Sequence, residues 1–201
     1  MKHGRLAVAI LGLAAAAAAT PAVAQDDKGL YLGASVGYVQ FKNICKEALV
    51  PCDEQDTGYR GYLGYQFNRY VAAEFGYGNL GSATGEGPLP GGTGKFEAEV
   101  KDVFDLSAMF SIPVTNRLFG LGRVGFYRAR ATVEMDGPFP GIASPSHEAG
   151  TSTGFTYGLG AEYRLGWLGL RAEWQRYDNV GVGSTGEDDI DVMSIGVLFR
   201  F

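Results

Sequence analysis

The chain is poor in the residues from which soluble chemistry is built. Its 201 residues include only two cysteines and two histidines, and charged side chains make up 19%. Cys45 and Cys52 supply two thiols with no histidine or third cysteine nearby in sequence, too few ligands for a zinc site. Past residue 24 there is no block of Lys or Arg, so a nucleic-acid partner is not expected. No apolar run there approaches the roughly 18 residues of a membrane-spanning helix. His147 stands between Ser146 and Glu148 in the Pro- and Gly-rich stretch 137–150, read as a solvated loop. Side chains adjacent in sequence seldom converge as a triad does, so no catalytic role and no enzyme activity are expected. Gly91-Gly92-Thr93-Gly94-Lys95 lacks the spacing and the following helix of a phosphate loop. No cofactor and no resident metal are expected.

What is present begins with a targeting signal. Lys2 and Arg5 precede an apolar run from Leu6 to Ala19, and Ala22-Val23-Ala24 forms a small-residue exit. This is the pattern of a cleaved secretory signal peptide over residues 1–24, leaving one domain over 25–201. Removing those two cations from the 17 basic residues leaves 15 against 22 acidic ones, a mature charge of −7. Export to an oxidising compartment makes a disulfide between Cys45 and Cys52 the expected state, worth about 2–3 kcal/mol for so short a loop.

Glycine, at 31 residues, is more than twice as frequent as the roughly 7% average, and 11 Tyr and 12 Phe accompany it. The aromatic residues fall in short runs of period two, which is the periodicity of strands. Eight such segments are read at 29–41, 57–67, 70–79, about 96–113, 118–131, 153–165, 168–177 and 190–201. In the sixth, Phe155, Tyr157, Leu159, Ala161 and Tyr163 alternate with Thr156, Gly158, Gly160, Glu162 and Arg164. In the fourth, Val100, Phe104, Leu106, Ala108, Phe110 and Ile112 are set against Glu99, Lys101, Asp105, Ser107, Met109 and Ser111, with Asp102 the exception on the apolar face.

The connections alternate too. Those at 42–56, 79–95, 132–152 and 178–189 are long and polar, while those near 68–69, 113–117 and 165–167 are short. Short periplasmic turns and long outward loops produce that rhythm, so the fold class is all-β: an eight-stranded antiparallel transmembrane up-and-down β-barrel of the Gram-negative outer membrane. Loop 79–95 is read as a flexible excursion in which Pro88, Pro90 and the glycines oppose regular structure. Tyr38, Tyr65, Tyr70, Tyr163 and Trp167 are placed in the interfacial girdles. An eight-stranded lumen is narrow enough for side chains to fill, so Glu74, Arg123, Glu162, Arg171 and Glu173 must pair inside it. Glycines such as Gly64 and Gly76 are read as making room for long charged side chains. The acidic run Glu187, Asp188, Asp189 and Asp191 fits either a solvated loop or an oxygen-ligand site for a divalent cation.

Several stretches resemble the transmembrane domain of the outer membrane protein A family and its small opacity-protein-like relatives: Gly64-Tyr65-Gln66-Phe67-Asn68-Arg69-Tyr70-Val71 running into Glu74-Phe75-Gly76-Tyr77, Leu106-Ser107-Ala108 to Pro113-Val114-Thr115, and Leu170-Arg171-Ala172-Glu173-Trp174-Gln175. The resemblance implies that Glu74 pairs with Arg171 across the lumen and that Glu162 is a second interior carboxylate. It implies that Met193, Ile195, Val197, Phe199 and Phe201 form the signal read by the barrel-assembly machinery. Where the family carries an inward Lys on the fourth strand, as alternative partner in a charge-switching gate, this chain has Met109. Larger members continue through a Pro-rich linker into a periplasmic peptidoglycan-binding domain, and anchoring to the cell wall is not expected from this chain alone.

Two functions fit. One is a structural or surface-interaction barrel whose loops meet lipopolysaccharide and host or phage surface ligands while its wall meets outer membrane lipids. The other is a narrow porin-like pore for water or small ions along the charged lumen.

Overall fold

Short polar turns set the register of the sheet. Asn68 Oδ1 accepts the N–H groups of Tyr70 at 2.8 Å and Val71 at 3.0 Å, closing one turn; Thr115 Oγ1 accepts those of Leu118 at 3.0 Å and Arg117 at 3.3 Å, closing the next. The third turn passes through Gly166 at φ 65°, a left-handed conformation that favours glycine.

The computed structural model describes residues 28–42, 50–138, 145–181 and 187–201. Residues 1–27, which hold the expected signal peptide, and Cys45, one end of the expected disulfide, lie outside them. The strands are β1 (Gly29–Phe41), β2 (Cys52–Asp53), β3 (Gln55–Asn68), β4 (Val71–Asn79), β5 (Gly81–Leu89), β6 (Gly92–Pro113), β7 (Leu118–Asp136), β8 (Ser146–Leu165), β9 (Leu168–Gly181) and β10 (Glu187–Arg200). Eight form a closed antiparallel ring in the order β1–β3–β4–β6–β7–β8–β9–β10, and β10 returns to β1 from Tyr31↔Arg200 to Phe41↔Ile190. The fold is the eight-stranded barrel that the alternation implies.

Alternation decides what faces lipid. Leu32, Val36, Leu63, Phe75, Leu106, Phe126, Leu159 and Ile195 are exposed on the outside, whereas their neighbours in sequence turn inward. Tyr38, Tyr65, Tyr70, Tyr163 and Trp167 are also exposed, and Trp167 stacks on Phe199 at 5.5 Å.

Three expectations need correction. Segment 79–95 is regular rather than a flexible loop: β5 pairs with β6 from Gly81↔Val100 to Leu89↔Gly92, and the reversal passes through Gly91 at φ 103°. Pro88 is tolerated because β5 is nearly an edge strand, covered on its far side by β2 only at Cys52↔Gly85 and Asp53↔Thr84. The sheet also continues into 132–152 and 178–189, as β7 runs to Asp136, β8 starts at Ser146, β9 runs to Gly181 and β10 starts at Glu187. His147 is therefore a strand residue, paired with Glu134.

The fourth segment also departs from its expected faces. The β6–β7 register slips between Lys101 and Phe104, and Asp102 takes φ 50° there. This bulge inserts an extra residue, so alternation changes face as it passes. Val100 and Ala98 point inward and are buried, while Glu99 and Lys101 face outward, the reverse of an unbroken period of two.

Candidate functional site: a charged lumen between two apolar layers

Inward positions of all eight ring strands contribute to one network inside the barrel. Glu74 on β4 is fully buried and takes three guanidinium groups: Arg171 at 2.7 Å, Arg123 at 2.5 Å and Arg60 at 3.0 Å. The Tyr31 hydroxyl donates to the same carboxylate at 2.9 Å. Arg60 grips Asp105 with two bonds of 2.8 Å. Arg123 also reaches Asp105 at 3.3 Å and binds Glu173. Arg171 bridges from Glu74 to Glu162 at 3.1 Å, and Glu162 in turn holds Arg164 at 2.7 Å and Arg200. Each carboxylate thus meets at least one guanidinium, the condition under which ions persist in a dry interior.

The five residues selected from sequence, Glu74, Arg123, Glu162, Arg171 and Glu173, lie together in this network. Sequence reasoning left Arg60, Asp105, Arg164, Arg200 and Tyr31 out of the cluster. Arg60, Asp105 and Arg164 share inward parity with Gly64, Ser107 and Glu162, so counting every charge on the glycine-bearing faces would have found them. Two glycines make the packing possible. A Cβ on Gly76 would strike Arg60 and Asp105, and one on Gly64 would strike the Tyr31 ring. Gly64 therefore makes room for an aromatic ring rather than for a long charged side chain.

Apolar groups flank the Glu74, Arg60, Arg123 and Asp105 centre on both sides, while the arm through Glu162 to Arg164 and Arg200 runs past the turn-side group toward the mouth of the lumen. Toward the short turns, Tyr31, Tyr62, Ala72, Met109, Leu121 and Leu198 pack together. Met109, at the position where the resembling family has Lys, belongs to this layer and is buried. Toward the long connections, Val39, Phe41, Val103, Tyr127, Tyr177 and Ile190 belong to a second layer. A cavity of about 20 Å³ beside Arg60, Arg171, Glu173 and Gln175 has room for about one water molecule.

The remaining sequence candidates lie elsewhere. His147 Nδ1 is 3.0 Å from Glu134 Oε1 on the exposed face. Asp191 is engaged by Arg176 at 2.6 Å and Lys42 at 2.9 Å, and among the described residues no group of three or more His, Cys, Asp or Glu is disposed to hold a metal ion. Met193, Ile195, Val197 and Phe199 line the outer face of β10, and the Phe201 N–H donates to Leu30 O at 2.9 Å beyond its end.

A closed eight-stranded ring with an apolar outer face and a charged, filled interior defines a transmembrane β-barrel. The chain belongs to the outer membrane protein beta-barrel domain family, whose sequence profile matches residues 6–201, and it is an outer-membrane protein of the Gram-negative type. It is 31% identical to outer membrane protein A of Salmonella typhi across 98% of this chain and 54% of that protein, and 31% identical to its counterpart in Yersinia pseudotuberculosis over the same shares. The chain thus spans about half the length of these relatives. In fold it is similar to the N-terminal β-barrel domain of Pseudomonas aeruginosa OprF (15% identity, 87% of this chain and 98% of that one, TM-score 0.53) and to Neisserial surface protein A (14%, 86% and 97%, TM-score 0.53).

Proposed function

We propose that this barrel is a closed structural scaffold of the outer membrane that presents its long hairpins as an interaction surface. The observation that carries this reading is the filled lumen, in which the central ion pairs around Glu74 lie between two apolar layers and the void beside them admits about one water. The hairpins add support. The outward apolar positions of β6 and β7 run over 104–112 and 118–126, about the 9–11 residues a tilted strand needs to cross a bilayer, yet β6 reaches back to Gly92 and β7 on to Asp136. Lipopolysaccharide and host or phage surface molecules are the partners such hairpins would meet, and the outward face of β10 offers the signal for the assembly machinery. His147, held by Glu134 on an exposed strand, has no catalytic part in this reading. The narrow-pore alternative would require the ion pairs to part and both apolar layers to open.

Single-channel recording on the refolded mature chain in planar bilayers tests the choice. Native protein and Arg171→Ala should both be silent while heat-modifiable gel migration confirms folded barrels. Reproducible openings altered by Arg171→Ala would sink the scaffold reading in favour of the pore.

A further inference from the structure

On the outer wall, one side-chain step beyond Phe126 at the hairpin end of the apolar band, Arg128 points outward and is exposed, with no ion pair among the described residues. Across the sheet it is flanked by Phe104 on β6 and Thr153 on β8. The next outward row is Lys101, Arg130 and Thr151. In it Arg130 meets Asp102 at 3.2 Å and Lys101 meets Glu99 at 2.6 Å, so three cations face two carboxylates and Arg128 is the one left over. Immediately below, Phe126 and Phe155 pack at 4.7 Å, and within the Arg128 row Phe104 packs on Tyr77 at 4.8 Å.

The opposite wall differs. There Arg176 and Lys42 both close on Asp191, and no cation of that group is left unpaired. The bulge at Asp102 accounts for part of the contrast, because it turns Lys101 and Glu99 onto the outer face that an unbroken strand would give to Val100. Apolar rings below, a free guanidinium at the boundary and threonine hydroxyls beside it match an amphiphile with acyl chains and an anionic head. A guanidinium suits phosphate in particular, since its fork donates two parallel bonds. Short turns face the periplasm in barrels of this class, so the row lies at headgroup depth in the outer leaflet.

We infer that Arg128, with Arg130, Lys101, Thr151 and Thr153, forms a binding site for a phosphate of the outer-leaflet glycolipid, whose acyl chains lie along Phe104, Phe126 and Phe155. The site deepens the reading that this barrel meets lipopolysaccharide and rests on it, whereas it does not depend on whether the lumen conducts.

The test is native mass spectrometry of the refolded full mature chain, released from nanodiscs containing diphosphorylated lipid A, the same lipid stripped of phosphate, or phosphatidylglycerol. Diphosphorylated lipid A should be retained, with Arg128→Ala lowering its occupancy about fivefold, the size of one interfacial cation's contribution, and Arg69→Ala at the turn end leaving it unchanged. Arg128→Gln, which keeps a polar hydrogen-bonding group but removes the charge, should lose as much. Equal retention of the dephosphorylated lipid or of phosphatidylglycerol would overturn the assignment, as would undiminished binding in both Arg128 variants when gel migration shows them folded.

Discussion

The lumen and the hairpins above the membrane are parts of one sheet, and both are rich in opposite charges. In the lumen Glu74 and Arg123 have side chains 0% and 1% exposed and make contacts to several partners each. On the β5–β6 hairpin, Lys95 and Glu86 meet at 3.1 Å with side chains 60% exposed. The pairs are chemically alike, but their energetic meaning differs. Losing one partner in the lumen strands other charges where water cannot reach them, whereas losing one on the hairpin returns the other to solvent.

The sharpest way to break this contrast is Glu74→Ala. It leaves Arg60, Arg123 and Arg171 without their shared carboxylate, so the refolded barrel should lose about 3–5 kcal/mol in urea titrations in lipid vesicles. A loss under 1 kcal/mol would mean that water fills the lumen and that its layers are not closed. Gly64→Val comes next. Its side chain would intrude on the Tyr31 ring, and overpacking of this kind costs about 1–3 kcal/mol in the same titration. Wild-type stability there would show that Tyr31 can leave Glu74 freely.

How much of this was legible in the sequence follows the same division. Within the membrane one face of every strand meets lipid and the other the lumen, so period-two alternation is enforced, and Phe155 to Tyr163 could be read directly. That rule also collected Glu74, Arg123, Glu162, Arg171 and Glu173. It failed at Asp102, because a single inserted residue changes face without leaving a compositional mark, and Val100 was assigned to lipid when it packs inside. Above the membrane both faces can be polar and the alternation fades. Gly81 to Leu89, with Pro88 and its glycines, therefore has the composition of a loop even though its backbone pairs residue by residue with β6. The Arg60–Asp105 pair was hidden for another reason: each residue could be placed on an inner face, but which charges meet depends on the stagger between β3 and β6, which are not neighbours in the ring.

The smallest effect sharpens the comparison from its other side. Lys95→Ala and Glu86→Ala, singly and together, define a double-mutant cycle on a pair that is cross-strand in register and well formed by distance. Solvent screening and the entropy of two long side chains offset most of its attraction, so the coupling should be about 0.2–0.5 kcal/mol and should fade as salt is raised. A coupling above about 2 kcal/mol would show that the hairpin end is dehydrated in the membrane-bound protein. It would place Lys95 among lipid headgroups rather than in water, and the apolar band would then have to reach higher on β6 than Phe104.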